Sequence, residues 1–293
     1  MKIAWILIPI LTLLFAGCSK PPEEAKTTEK KPAAAKVAPQ KSPEDTLKDM
    51  VLIPAGKFFM GSSKDIEDDN FFDYGFVQPF YADASPMIEV HLDAYHIDKY
   101  EVTHEAYQKF LIATGRKSPG GWRGSSYRQG RERRPVGGIN WFEATEYCNW
   151  MNKRLPTEAE WEKAARGADK REYPWGNDYD NTKANVSLVS EEVRDTVDVD
   201  AYPEGKSPYG VYNMVGNVWE WTDSWYQPYS GAVYESEKFG ENDRVVRGNS
   251  SNAIAHFYNE EHHDIVSQYS KTYFRFPVRP DYHVGDIGFR CVK

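Results

Sequence analysis

Cysteine is scarce in this sequence, and positive charge is in deficit. The 293 residues include only three cysteines, Cys18, Cys148 and Cys291, so any thiol chemistry must use these positions. The 44 acidic side chains outnumber the 36 basic ones, the net charge is −8, and no basic stripe stands out. This balance argues against a nucleic-acid partner. A long apolar run is also missing, because the stretch Ile3–Phe15 is shorter than the roughly 20 residues that cross a bilayer.

The N-terminus has the pattern of an export signal. Lys2 precedes the short apolar run, which is typical of a signal peptide over residues 1–17. Residues 13–18 read Leu-Leu-Phe-Ala-Gly-Cys and resemble the lipobox of bacterial lipoproteins, with Phe15 where leucine is usual. The resemblance implies lipidation of Cys18 and anchoring in the bacterial cell envelope, on the outer membrane facing outward. An ordinary secretory signal with a chance cysteine is the alternative.

Two regions of different composition follow. Residues 18–46 are rich in Pro, Ala, Lys and Glu and contain no aromatic residue, so they cannot bury enough apolar surface to fold. We predict a disordered tether there and one α+β domain over residues 47–293. Strand-like patterns occur near 50–62 and 91–103, and three amphipathic helices begin near residues 104, 141 and 158.

Helix end signals support the third helix in particular. Thr157 and Glu160 form a predicted capping box, and Gly167 follows the last helical residue. Trp161 is then a core residue. A catalytic role for Glu158 or Glu160 is the alternative to capping and salt bridging, which explain both carboxylates.

Seven motifs, in this order, identify a family. They read VLIPAGKFFMGS, YEVTHEAYQKFL, PVGGINWFEATEYCNWMNKRLPTEAEWEKAARG, YPWGN, YGVYNMVGNVWEW, RVVRG and GFRC. Together they resemble the formylglycine-generating enzyme, or sulfatase-modifying factor, family over nearly all of residues 50–293. The resemblance implies a C-type-lectin-like fold with two main helices, twisted antiparallel strands and much irregular loop.

The resemblance also implies structural calcium and a disulfide. Oxygen ligands suit calcium, and the first family site maps onto the side chains of Asn213 and Glu220 and the carbonyls of Gly216 and Val218. A Trp-anchored turn is the alternative. The second site maps onto Asn185, the Val186 carbonyl and Asp195, with Glu192 as another candidate. Cys148 and Cys291 match a structural disulfide of some members, and two buried free thiols are the alternative.

The oxidase chemistry of the family requires a pair of cysteines soon after an Arg-Gly-Gly-Ser motif, where they bind copper(I). The corresponding segment here places Ala253 and Tyr258 at those positions. Neither side chain binds copper(I), so no copper is expected and the oxidase activity is disfavoured. The neighbouring histidines are expected to be exposed loop residues rather than a redox metal site.

The segment 249–283 is rich in Asn, Ser, Tyr, His and Asp, which make up seventeen of its thirty-five residues. Such residues fill binding loops, and the segment resembles the variable region of proteins diversified by retroelements. An ordinary enriched loop in an inactive paralogue is the alternative. The predicted ligand-binding residues are Ser251, Asn252, His256, Tyr258, His262, His263, Tyr269, Tyr273, Tyr282 and His283.

The sequence therefore favours a non-catalytic, surface-displayed binding module. Its expected ligand is an external protein or another cell-surface molecule, and the module is expected to be monomeric. A sugar ligand is disfavoured because the paired Glu-Pro-Asn motif of calcium-dependent lectins is missing from the sequence. The alternatives are a formylglycine-generating oxidase or related metal-dependent enzyme, and an accessory lipoprotein of envelope assembly.

Overall fold

The computed structural model describes residues 47–187, 195–252 and 259–293, which all belong to one compact unit spanning Lys36–Lys293. The predicted signal peptide, the tether and the positions of Cys18, Glu192, Ala253, His256 and Tyr258 lie outside the described residues. Within the described ranges, no helix has the length and apolar character needed to cross a membrane.

Two antiparallel strand pairs open the domain. Strand β1 (Met50–Ile53) pairs with β4 (Tyr95–Asp98), and β2 (Gly56–Met60) pairs with β3 (Ile88–Leu92). Alternate residues of β2 face the core, because a strand projects successive side chains to opposite faces: Phe58 and Met60 are buried and Lys57 is exposed.

The three predicted helices are confirmed. They are α1 (His104–Thr114), α2 (Trp141–Trp150) and α3 (Glu158–Arg166). The Thr103 hydroxyl accepts the Ala106 N–H at the start of α1, and α3 has the complete capping box.

A four-stranded sheet forms the C-terminal half, in the order β7-β6-β5-β8. Its strands are β5 (Trp219–Trp225), β6 (Arg244–Arg247), β7 (Phe276–Val278) and β8 (Ile287–Gly288). Neighbours pair antiparallel except β8, which runs parallel to β5.

A fourth helix, α4 (Asn259–Tyr269), occupies the segment that the sequence analysis treated as loop. Ile265, Val266 and Tyr269 are buried on one side of this helix, while His263 and Asp264 are exposed. The spacing of the three buried residues is the i, i+1, i+4 pattern of an amphipathic helix. Helix α4 therefore turns one side of the polar segment toward the interior.

The predicted disulfide is present. Cys148 of α2 is bonded to Cys291 near the C-terminus, with 5.7 Å between the Cα atoms, and both cysteines are fully buried. The bond closes a sequence separation of 143 residues. A native cross-link of this kind typically stabilises a fold by about 2–4 kcal/mol.

Helix α3 is held to the sheet by buried ion pairs. Glu158 accepts hydrogen bonds from Arg247 of β6 at 2.7 Å and from Arg275 at 2.7 Å. Glu162 pairs with Arg166 at 2.9 Å and with Arg247 at 2.7 Å. These contacts confirm that Glu158 has a salt-bridging role.

Glu160, the N3 residue of the capping box, pairs with Arg154 instead. The guanidinium donates to both carboxylate oxygens of Glu160, and Glu160 also accepts the Thr157 N–H at 2.8 Å. Capping and ion pairing thus account for both oxygens of this carboxylate, as the sequence analysis expected.

Candidate functional site

A polar ridge divides the C-terminal face into two clefts. The ridge consists of Ser250, Asn252 and Asp286, and the last two line both clefts. The Ser250 hydroxyl donates to the Asp286 carboxylate at 2.6 Å, which joins the chain after β6 to the chain before β8. Asn249, in the left-handed conformation with φ of 63°, turns the chain from β6 onto the ridge.

The first cleft is a cavity of about 430 Å³ with aromatic and cationic walls. The His104 ring stacks on Trp122 with 5.5 Å between ring centroids, and Tyr127 meets Trp122 edge-on at 5.3 Å. His104 Nδ1 lies 3.0 Å from the Arg134 carbonyl oxygen. Burial lowers the pKa of His104, so the imidazole is neutral near pH 7.

The cationic groups of the first cleft come from a loop, residues 116–134, which we call the basic segment. Arg131 and Arg134 both pair with the exposed carboxylate of Asp195. Arg128 also lines the cleft, and it makes no ion pair with any residue that the structure describes. This segment corrects the sequence analysis, which found no basic stripe.

The second cleft is a larger cavity of about 710 Å³ with mainly apolar walls. Trp219 is one of its lining residues, and the centroid of its ring lies 5.8 Å from that of Phe276 and 6.3 Å from that of Tyr269. Three exposed apolar or aromatic side chains line the same cavity: Val77, Tyr282 and Val284. Apolar exposure gathered around one cavity is typical of an interaction site.

Several predicted ligand-binding residues do meet at these clefts. Ser251 and Asn252 line the first cleft, and Tyr269 and Tyr282 line the second. Ser251 and Tyr269 are nevertheless largely buried, so each contributes only the part that faces its cavity.

Of the predicted ligand-binding histidines, the two that the structure shows to be exposed lie away from the cavities. His283 is exposed, with Nε2 3.0 Å from a Glu143 carboxylate oxygen, and the His263 ring lies against Tyr179. Neither histidine lines a cleft.

Two of the predicted contacts are wrong. Tyr273 is only 2% exposed and lies beneath the Arg166 guanidinium, 5.2 Å from its ring centroid. His262 is fully buried on the inner side of α4. Both residues were expected at the surface because the segment was taken for a loop. Helix α4 buries His262 on its inner side, and the turn after the helix places Tyr273 against Arg166.

The residues that the sequence analysis missed are mostly aromatic: Phe76, Trp122, Tyr127 and Trp219. Each is distant in sequence from the segment 249–283, so composition of that segment could not reveal them. A signal was available for two of them, because Trp122 and Tyr127 each precede an arginine in the basic segment.

The first predicted calcium site is already engaged with protein groups. Both Glu220 carboxylate oxygens accept hydrogen bonds from Arg290, at 2.6 and 2.7 Å, and Trp161 Nε1 donates to one of them. Asn213 Nδ2 donates to Glu101 and to the Val199 carbonyl. Gly216 and Val218 lie in the same buried loop. As placed, these residues do not fit a calcium ion, because a guanidinium already neutralises the Glu220 carboxylate.

The second predicted calcium site is not assembled either. Asn185 Nδ2 donates to the Asp195 carbonyl at 3.0 Å, but the Asp195 carboxylate is turned outward to Arg131 and Arg134. Val186 packs in an apolar cluster. In the part of the chain that the structure describes, no three His, Cys, Asp or Glu side chains are grouped as metal ligands. Calcium binding therefore stays an expectation from the resemblance that no observation tests, and the placement of these residues does not favour it.

Glu101 is a buried carboxylate that the sequence analysis overlooked. Its oxygens accept hydrogen bonds from Asn213 at 2.9 Å and Asn217 at 3.0 Å. Burial raises its pKa to about 7, with a further contribution from Glu220 and an opposing one from Arg290. The Arg290 guanidinium thus hydrogen-bonds to Glu220 and also attracts the Glu101 carboxylate electrostatically.

The architecture and its motifs define a C-type-lectin-like domain of the formylglycine-generating enzyme type. The profile of the sulfatase-modifying factor enzyme 1-like domain matches residues 35–293, and the chain belongs to this family.

Individual relatives agree with this assignment. The formylglycine-generating enzyme of Bos taurus is 30% identical over 299 aligned positions, covering 83% of this chain and 74% of the relative. The structure of PvdO from Pseudomonas aeruginosa superposes with a TM-score of 0.62 at 27% identity, covering 83% and 93% of the two chains. Treponema denticola variable protein 1 superposes with a TM-score of 0.58 at 21% identity, covering 83% and 94%, and supports the fold alone.

The cysteines of this chain lie at other positions than the pair that the oxidase chemistry of the family requires. Cys148 and Cys291 are bonded to each other, which leaves Cys18 as the remaining cysteine of the sequence. Residues 248–283, which follow β6, contain no cysteine, so they cannot provide the pair of soft thiolates that copper(I) requires.

Proposed function

We propose that this protein is a non-catalytic binding module that recognises an external protein through the two clefts of its C-terminal face. The observation that carries the proposal is the placement of the clefts. They open on both sides of the chain that follows β6, where an oxidase of this family would need two thiols and this sequence has none.

The chemistry of the clefts supports recognition. Aromatic rings give large contact areas and lose little conformational entropy on binding, because they have only two rotatable side-chain bonds. Ring-to-ring contacts already hold Trp122 and Trp219 in place. The ridge between them supplies hydroxyl, amide and carboxylate groups that can fix the orientation of a ligand.

The proposal includes the setting of the domain. Lipidation at Cys18 would anchor the chain, and the tether of residues 18–46 would hold the domain away from the membrane. In a detergent phase-separation experiment, we expect the intact protein to enter the detergent phase. A Cys18→Ala variant should stay in the aqueous phase. Equal partitioning of the two would count against the anchor.

Diversification of segment 249–283 by a retroelement is a further part of the proposal. Substitutions among isolates should fall at adenine positions of the coding strand and should favour Asn252 and Tyr282, which face the clefts. Changes spread evenly over the domain would remove this part and leave a fixed binding module.

The absence of oxidase activity is tested with a peptide containing the Cys-x-Pro-x-Arg sequence. The purified full chain, supplied with copper(I) and oxygen, should leave the peptide mass unchanged. An active formylglycine-generating enzyme in the same assay is the control. Conversion of the peptide by this chain would refute the non-catalytic assignment.

Recognition is tested by selecting ligands from a display library of random peptides against the full chain. Tyr127→Ala in the first cleft and Tyr282→Ala in the second should each weaken the selected peptides. Ile112→Ala, exposed on α1 and lining neither cleft, should leave binding unchanged. Peptides that bind all three variants equally would show that the clefts are not the recognition site.

A further inference from the structure

We infer that the first cleft binds an acidic segment of a protein partner, with Arg128 as the main contact to a carboxylate. The inference rests on the proposed function and names the chemistry of its ligand.

Charge in this protein is distributed unevenly. The whole chain has a net charge of −8, yet the basic segment contains seven cationic residues and one acidic residue, Glu132. The cationic residues are Arg116, Lys117, Arg123, Arg128, Arg131, Arg133 and Arg134. Such a concentration of one charge raises the local concentration of oppositely charged ligands and speeds their association.

Among the residues that the structure describes, only part of this charge is paired with carboxylates. Arg116 pairs with Glu146, Arg133 pairs with Asp198 and Asp200, and Asp195 takes both Arg131 and Arg134. Two guanidinium groups facing one carboxylate leave a surplus of positive charge beside the cleft.

Three cations of the segment have no ion pair with a described residue, namely Lys117, Arg123 and Arg128, and Arg128 lines the cavity. The one acidic group on the ridge, Asp286, already accepts the Ser250 hydroxyl. A carboxylate entering beside Arg128 would therefore meet a guanidinium that has no ionic partner among the described residues and that can bind both of its oxygens.

Main-chain N–H and C=O groups without hydrogen-bond partners among the described residues also line the cleft. They favour a peptide over other carboxylate-bearing ligands. Four glycines line it, Gly120, Gly121, Gly137 and Gly285. None of the four forms a hydrogen bond through its own N–H or C=O to the residues that the structure describes. A side chain added at Gly120 or Gly121 would meet nothing within 4 Å, so this part of the wall is open, whereas Gly137 lies against the Gly285 carbonyl oxygen. A ligand backbone can approach such a wall closely enough to hydrogen-bond to it.

The aromatic wall completes the fit. Trp122 and Tyr127 each precede an arginine, Arg123 and Arg128, so aromatic and cationic residues alternate along this part of the sequence. Trp122, Tyr127 and Arg128 line the cleft itself. His104 beneath Trp122 is neutral and adds no charge. An acidic side chain flanked by an apolar or aromatic residue matches this alternation.

The experiment measures the binding of a fluorescent oligoglutamate peptide to the full chain by polarisation, with oligoglutamine as the matched neutral probe. The oligoglutamate should bind more tightly, and its affinity should fall as salt rises, because screening weakens exposed charge pairs. Arg128→Gln should weaken binding about fivefold, the scale of an exposed ion pair. Lys109→Gln, an exposed change on α1 outside the cleft, should have no effect.

Three results would overturn the inference. They are equal affinity for the two probes, an unchanged affinity in Arg128→Gln, and tight binding of a polyuronate in place of the acidic peptide. The proposed function would still stand if peptides selected from a library lost binding in Tyr127→Ala and yet contained no acidic residues. Failure of both experiments would remove the proposed function as well.

Discussion

Arginine occupies two opposite environments in this molecule. Around α3 and β6, Arg247 and Arg275 are fully buried and bonded to Glu158, which ties helix to sheet. In the basic segment, Arg128 is exposed and has no ionic partner among the described residues. The same side chain therefore stabilises the scaffold in one region and remains available for a ligand in the other. The comparison predicts large stability effects in the first region and large binding effects in the second.

The largest expected effect comes from breaking the buried network. Arg247→Met removes a guanidinium that serves both Glu158 and Glu162, and it leaves buried carboxylates short of a partner. Loss of one member of a buried pair typically costs about 3–5 kcal/mol. Urea denaturation should show this loss in the free energy of unfolding. Arg128→Met should change it by less than about 0.5 kcal/mol, and equal effects would erase the distinction between the two regions.

The second-largest expected effect on stability comes from removing the disulfide. Replacing Cys148 and Cys291 together by alanine should lower the free energy of unfolding by about 2–4 kcal/mol, because the unfolded chain regains the freedom that the bond removed. The double variant should still fold. The reduced wild-type protein is the matching control, and its free energy of unfolding should equal that of the double variant. If neither sample loses stability, the disulfide has no structural role.

Glu101 should make stability depend on pH. Its folded-state pKa is about 7, against a usual value of 4.5, so the folded protein retains a proton that the unfolded chain releases within that range. Stability from this group is therefore greatest at low pH and declines as the pH rises from about 4.5 to 7.

The Glu101→Gln variant isolates this effect, because the other titrating groups, including the neighbouring Glu220, remain. The stability of the variant relative to wild type should rise as the pH increases from about 4.5 to 7, as read from unfolding midpoints. If the difference in stability between the two proteins stays constant with pH, Glu101 does not hold the proton.

The smallest expected effect is that of calcium. Since Arg290 already neutralises Glu220, and the Asp195 carboxylate faces two arginines, added calcium should leave the melting temperature of the protein unchanged. Magnesium serves as the matched control for non-specific effects. A rise in melting temperature that requires calcium and is lost in Asn213→Ala would support the family-implied site instead.

The sequence predicted much of the scaffold because local signals decide it. Thr103, Thr157 and Gly167 are helix end signals that act over a few residues, and the structure uses each of them. The disulfide followed from the resemblance. The clefts were harder to predict from the sequence, because Trp122 and Trp219 come near the ridge only through long-range packing. Helix α4 was missed because its composition is polar, although the spacing of Ile265, Val266 and Tyr269 indicates a helix.

The burial of Tyr273 illustrates the same limit. Its residue type suits a binding surface, but the guanidinium of Arg166, more than a hundred positions earlier in the chain, covers its ring. Composition can indicate that a segment is suited to recognition. Only packing against the rest of the domain decides which side chains of the segment remain accessible.

The most direct test of a recognition face is hydrogen exchange of the full chain with and without a library-selected peptide ligand. The account predicts slower amide exchange within residues 118–131 and 276–287, which border the two clefts, and unchanged exchange in β1 and β4. Protection confined to other surfaces, or none at these segments despite saturating ligand, would contradict it.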